Sequence, residues 1–139
     1  MSRAGKLTLA LLALGVVYFP LALWAKYTYV PPKLPPGAIQ MMVRSFNRYR
    51  GGGFAFTYPA DTIQSKADSE AAPSRSPMMI YEDGKPLGPA HSTHAAIVKD
   101  GNGRFSHWEE QFIFSSSDNS DPNLNGRQYW IGRLPGADR

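Results

Sequence analysis

The chain of 139 residues contains no cysteine, which removes disulfides, thiolate metal centres and cysteine nucleophiles together. A small domain built from it stands on packing, a metal or a partner. Acidic residues are missing from the whole first part. Residues 1–50 hold Arg3, Lys6, Lys26, Lys33, Arg44, Arg48 and Arg50 with no Asp or Glu, a formal charge of +7. Residues 51–139 hold the remaining eight basic and all eleven acidic residues, −3, and the two parts sum to the overall +4. Basic residues are therefore not interleaved with the aromatics of the second part, which argues against a nucleic-acid partner. No G-x-S-x-G elbow, no G-x-G-x-x-G and no P-loop occurs, and Gly51–Gly53 lacks the following Lys-Ser/Thr. Glu109 and Glu110 are adjacent, so on a strand they face opposite ways and do not form an acid/base pair. The sequence declares no reaction, and the reading is non-catalytic.

What is present begins with an uncharged run from Leu7 to Ala25 between Lys6 and Lys26. Its nineteen residues span roughly 28 Å as a helix, near a bilayer's hydrocarbon thickness. The run is long for a signal peptide and ends in Leu23-Trp24-Ala25-Lys26 rather than Ala-x-Ala. Trp24, Tyr27 and Tyr29 resemble an interfacial belt. The expectation is a single transmembrane α-helix over 1–26 in a bacterial inner membrane, with the C-terminal part periplasmic. Pro20 interrupts its last turns, and no acid or histidine lies inside the run for ion transfer or pigment ligation.

Residues 27–50 read as a Pro-rich linker (Pro31, Pro32, Pro35, Pro36) followed by a short amphipathic helix. In that helix Ile39, Met42, Val43 and Phe46 fall at i, i+3, i+4 and i+7. Trp24, Tyr27, Lys33, Arg44, Arg48 and Arg50 are candidates for contact with lipid or a partner protein.

Residues 51–139 read as a small all-β domain, an antiparallel sheet or sandwich. Phe54, Phe56 and Tyr58 alternate with small residues, and 60–77 reads as a loop. Met78–Tyr81 leads into Asp83-Gly84, a hairpin signal. Ala95–Val98, Arg104–Trp108, Gln111–Ser115 and Arg127–Ile131 are the other candidate strands. Asp121, Asn123 and Asn125 before Gly126 match the opening of a calcium loop, with Asp118 as a further oxygen. The twelfth position is Gly132 instead of a bidentate Glu. The competing reading is a loop capping its own backbone. His91, His94 and His107 are the only histidines and match no HExxH-type zinc motif. Trp108 and Trp130, next to the Asp/Asn-rich loop, suit sugar binding, or else they are core.

Three segments, Ile80–His91, Gly103–Trp108 and Phe114–Asn123 with Asn125-Gly126-Arg127, together resemble a recurring bacterial β module spanning Ile80–Tyr129. It occurs beside enzymes that modify surface sugars and in uncharacterised proteins. The resemblance implies a fold and no chemistry. Without an enzyme neighbour, the module and the apolar run together imply a single-pass accessory subunit of a membrane protein complex. A photosynthetic reaction centre–light-harvesting assembly is one concrete setting. The alternative is a membrane-tethered glycan-binding protein.

Overall fold

The computed structural model describes residues 3–28, 34–43 and 45–134, and within the first helix the side chains of 4–6 and 12–28. The chain divides into two compact units, Met1–Pro32 and Lys33–Arg139.

The first unit is one helix, α1 (Arg3–Thr28), with Pro20 inside it and Lys26 in its last turn. Thr28 closes it by donating its hydroxyl to the Trp24 carbonyl at 2.7 Å. Among the described residues no helix is long and apolar enough to cross a membrane, which overturns the expected transmembrane anchor and the inner-membrane, periplasmic placement built on it. The 26-residue helix carries Arg3, Lys6 and Lys26 as well as the helix-interrupting Pro20.

The second unit is mostly β, as expected, and holds eight described strands and one short helix. In chain order these are β1 (Ala38–Met42), β2 (Asn47–Arg48), β3 (Phe56–Pro59), β4 (Met78–Glu82), β5 (Lys85–Pro86), α2 (His94–Lys99), β6 (Phe105–Trp108), β7 (Gln111–Phe114) and β8 (Tyr129–Arg133). They form two antiparallel four-stranded sheets, ordered β1-β8-β4-β5 and β2-β3-β7-β6.

Period-2 alternation sets both inner faces. Phe56, Phe112, Phe114 and Phe105 from the second sheet meet Met78, Ile80, Tyr129 and Ile131 from the first, with Met42 and Phe46. Phe46 stands edge-on to Phe114 at 5.2 Å and to Tyr129 at 5.4 Å between centroids. The second sheet also buries part of its other face, around Ile113. There Ile113 packs with Ala55 and Ile97 of α2, bordered by Tyr49, Val98 and Trp108.

The expected amphipathic helix is instead β1, paired with β8 from Ala38↔Gly132 to Met42↔Tyr129. Met42 and Phe46 are buried while Ile39 and Val43 are exposed, so the helical spacing was fortuitous. Ala95–Val98, expected as a strand, lies in α2. Thr93 is its N-cap and accepts from the Ala96 N–H, which makes a turn of helix the cheaper local state. The two expected hairpins form. Asp83 and Gly84 take φ of 48° and 80° between β4 and β5, and β6 pairs β7 across Glu109-Glu110.

Candidate functional site

The loop from Ala60 to Pro77 folds back on β6 and is fastened by one carboxylate. The Asp68 amide donates to the His107 carbonyl at 2.7 Å. Its side chain, 2% exposed, accepts from the Ser76 amide at 2.9 Å through Oδ1. Oδ2 accepts from His91 Nδ1 at 2.8 Å and from Ser106 Oγ at a long 3.4 Å. With a carboxylate against Nδ1, that nitrogen carries the proton and Nε2 is the ring's remaining polar atom.

A second histidine completes the fastening. His107 Nδ1 meets Ser76 Oγ at 2.8 Å, and the Met78 amide donates to the same oxygen at 3.2 Å. The ring stacks on Phe112 at 4.4 Å. Burial lowers the pKa of His107, with the Asp68 charge opposing. Ser76 and His107 have the spacing of a nucleophile and base, but both are buried and bonded inward, so no substrate reaches them.

The polar atoms that do meet open space lie one layer out. A cleft of about 270 Å³ is lined by Pro73, His91, Ser92, Thr93, His94, Ser106 and Trp108. β6 contributes Ser106 and Trp108, which point away from the main core because Phe105 and His107 point toward it. His91 adopts φ 54°, and the Ser92 amide then donates to the Phe105 carbonyl at 3.0 Å, which seats the turn before α2 on β6. His94 Nδ1 meets the Tyr49 hydroxyl at 3.2 Å, and its ring stands edge-on to Trp108 at 5.1 Å. His94 Nε2 is buried with no hydrogen-bond partner. Burial lowers the His94 pKa, with Glu109 opposing.

Sequence reasoning named Trp108 but not Asp68, Ser76 or Tyr49, which arrive from 23 to 45 residues away from the histidines they meet, nor Ser106, which meets Asp68 across 38 residues. Trp108 and Trp130 do not share a site. Trp130 lies on β8, with Met41 and Tyr81 as its register neighbours in the other sheet. His91, His94 and His107 each serve a different partner. Among the described residues no group of three or more His, Asp or Glu is placed to hold a metal ion.

The expected calcium ligands are turned to other work. Asp118 accepts from both terminal nitrogens of Arg127, at 2.9 and 2.5 Å, which holds its carboxyl far below the usual carboxylate range. Asp121 Oδ1 accepts from the Asn123 amide at 2.9 Å, and Oδ2 pairs with Arg48 at 3.6 Å. Asn123 clamps the Phe46 backbone from both sides, at 2.9 and 3.0 Å. Asn125 donates to the Tyr129 hydroxyl at 2.9 Å and accepts from the Arg127 amide at 3.1 Å. Guanidinium and amide donors occupy the oxygens a cation would need, so the segment is the self-capping loop of the competing reading.

Beneath that loop, Glu82 is buried and accepts from Tyr129 Oη at 2.7 Å, from Arg127 at 3.2 Å, and from the amide and hydroxyl of Ser117. Burial, first of all, pushes the Tyr129 hydroxyl well above its ordinary value. The expected contact residues fall in both units of the chain. Trp24 and Tyr27 are exposed on α1 and Arg50 is exposed. Arg48 lies over the Phe56 ring at 5.0 Å and pairs with Asp121, so it is held by its own unit. Lys33 and Arg44 lie outside the described residues.

Comparison with protein-family models, with curated proteins and with solved structures finds no match.

Proposed function

We propose that the chain is a non-catalytic accessory subunit of a larger protein assembly, held there by α1. One observation carries this reading: the described side chains of α1 from Leu12 to Trp24 present apolar groups on every side of the helix. Leu12, Leu14, Val16, Val17, Tyr18, Phe19, Leu21, Leu23 and Trp24 are 52–72% exposed. At 100° per residue they occupy all quadrants of the helix. Two shallow depressions lie on opposite faces, one of about 570 Å³ around Gly15 and Phe19, the other of about 460 Å³ around Val17 and Leu21. A helix that is hydrophobic all round belongs inside other structure, since one facing solvent is amphipathic.

The occupants that fit are apolar helices of other subunits, arranged on more than one side. A single second copy of α1 would cover one face and leave the opposite faces of both helices bare. Charge supports a different chain as partner. Arg3, Lys6 and Lys26 flank the run and no acid occurs before residue 51, so acidic residues at the rim must come from elsewhere. The experiment is native purification through a tag at Arg139, followed by intact-mass measurement of everything retained. The expected result is a fixed stoichiometry with other chains, lost in Val17→Glu/Leu21→Glu while thermal unfolding of the second unit is unchanged. A solitary monomer, or a purified chain whose mass lacks α1, overturns the reading.

A further inference from the structure

We propose that the cleft beside Trp108 is a binding site for one neutral sugar ring in the pyranose form. This goes beyond the accessory role and does not rest on it.

The lining is mostly apolar surface with polar atoms set into it. Trp108 and Pro73 are apolar, while Ser92, Thr93, Ser106 and the rings of His91 and His94 bring polar atoms. A pyranose combines the same two chemistries, with C–H groups on its faces and hydroxyls at its edge. Several of the polar atoms retain capacity for a ligand. Thr93 Oγ1 accepts from the Ala96 amide at 3.3 Å, which leaves its hydroxyl proton to donate. Ser92 donates to the Pro89 carbonyl at 2.8 Å and keeps its lone pairs. Ser106 donates only along the long bond to Asp68. His91, oriented by Asp68 through Nδ1, has Nε2 uncommitted, and His94 Nε2 is without a protein partner.

Charge selects a neutral ligand. No Lys, Arg, Asp or Glu lines the cleft, so neither an anion nor a cation finds a counter-charge in contact. The carboxylate immediately behind, Asp68, weighs further against anions. Size selects one ring: 270 Å³ is just below the roughly 300–1,000 Å³ of pockets for drug-sized ligands. The rings that shape the site are also preset. Asp68 fixes His91, Tyr49 and Trp108 fix His94, and β6 fixes Trp108, so little ordering accompanies binding.

The test uses the full chain with methyl β-glucopyranoside, methyl β-galactopyranoside, methyl α-mannopyranoside and N-acetylglucosamine, by calorimetry and saturation-transfer NMR. The expected result is saturable binding of at least one sugar, weakened tenfold or more in Trp108→Ala. Ser92→Ala should weaken it a few-fold, and because that hydroxyl makes a single exposed bond, this variant probes the cleft even if Trp108→Ala fails to fold. Three results overturn the proposal. One is no saturation by any of the four up to about 50 mM, where even a Kd of ~1 mM would be evident. Another is binding that survives both substitutions. The last is adenine, a flat ring without hydroxyls, binding more tightly than every sugar.

Discussion

Replacing Asp68 with alanine should cost the second unit about 3–5 kcal/mol of stability, most of it through the loop that the carboxylate fastens. The side chain is 2% exposed and accepts two short bonds, from the Ser76 amide at 2.9 Å and His91 Nδ1 at 2.8 Å. Hydrogen bonds to a charged group are worth about 1.5–3 kcal/mol each, and a buried donor left alone costs about 1–3 kcal/mol. The 3.4 Å bond from Ser106 adds little. Two good bonds therefore set the scale, in line with the loss when one partner of a buried pair is removed. Against the 5–15 kcal/mol of a typical domain this is a large fraction. Urea unfolding followed by circular dichroism reads it, with Ser106→Ala as a control expected to lose under about 1 kcal/mol. In a double-mutant cycle, Asp68→Ala and His91→Ala should couple by about 1 kcal/mol or more, since each removes the other's partner. A loss below about 1 kcal/mol in Asp68→Ala would refute the reasoning, because the loop would then be held by something other than this carboxylate.

Stability should also fall as pH drops below 6.5. His94 and His107 have folded-state values below 6.5, first of all through burial, so below that pH the unfolded chain binds protons that the folded chain refuses. Urea midpoints between pH 8 and pH 5 check the sign, and a midpoint that rises on acidification contradicts it. Gly101→Ala should destabilise by about 1 kcal/mol or more, because φ is 61° and a Cβ there would lie 2.0 Å from Asn119 Oδ1. An unchanged thermal midpoint would show that the turn relaxes freely. Tyr129→Phe removes the hydroxyl that Glu82 and Asn125 share, at 2.7 and 2.9 Å, and should lose about 1–3 kcal/mol in urea. Calcium or a chelator should leave the thermal midpoint in place, since the Asp118–Asn125 oxygens are already bonded; a rise with calcium would restore the cation reading.

Where the sequence was legible, the signal was local. Asp83-Gly84 needs only two positive φ angles to dictate a hairpin, and two aromatic-rich runs on either side of Glu109-Glu110 reveal β6 and β7. Where it misled, a distant partner decided. Ile39, Met42, Val43 and Phe46 satisfy a helical spacing, but pairing of β1 with β8 leaves Ile39 and Val43 outside. In α2, Ile97 and Val98 favour a strand, and the Thr93 cap with the space over Ile113 outweighs them. The apolar run is a helix as read, but among the described residues no helix is long and apolar enough for the membrane crossing drawn from it. The cleft was nearly invisible because its parts come from four segments around residues 68–76, 91–94, 106–108 and 49. Only Trp108 and the histidines stood out as residue types, and no spacing links them to Asp68.

Burial on both sides of β7 has a consequence for how the fold is written. In β7, Phe112 and Phe114 enter one core and Ile113 enters the other, so no position from Phe112 to Phe114 is left for a polar side chain. A one-residue slip of this strand would put Ile113 together with Gln111 or Ser115 where two phenylalanines belong, and a phenylalanine into the narrow space under α2. The first misfit buries a polar side chain and the second fails by volume. The register of this strand is thus guarded by its polar ends and by shape, since the central Phe112-Ile113-Phe114 is equally hydrophobic whichever way round it lies.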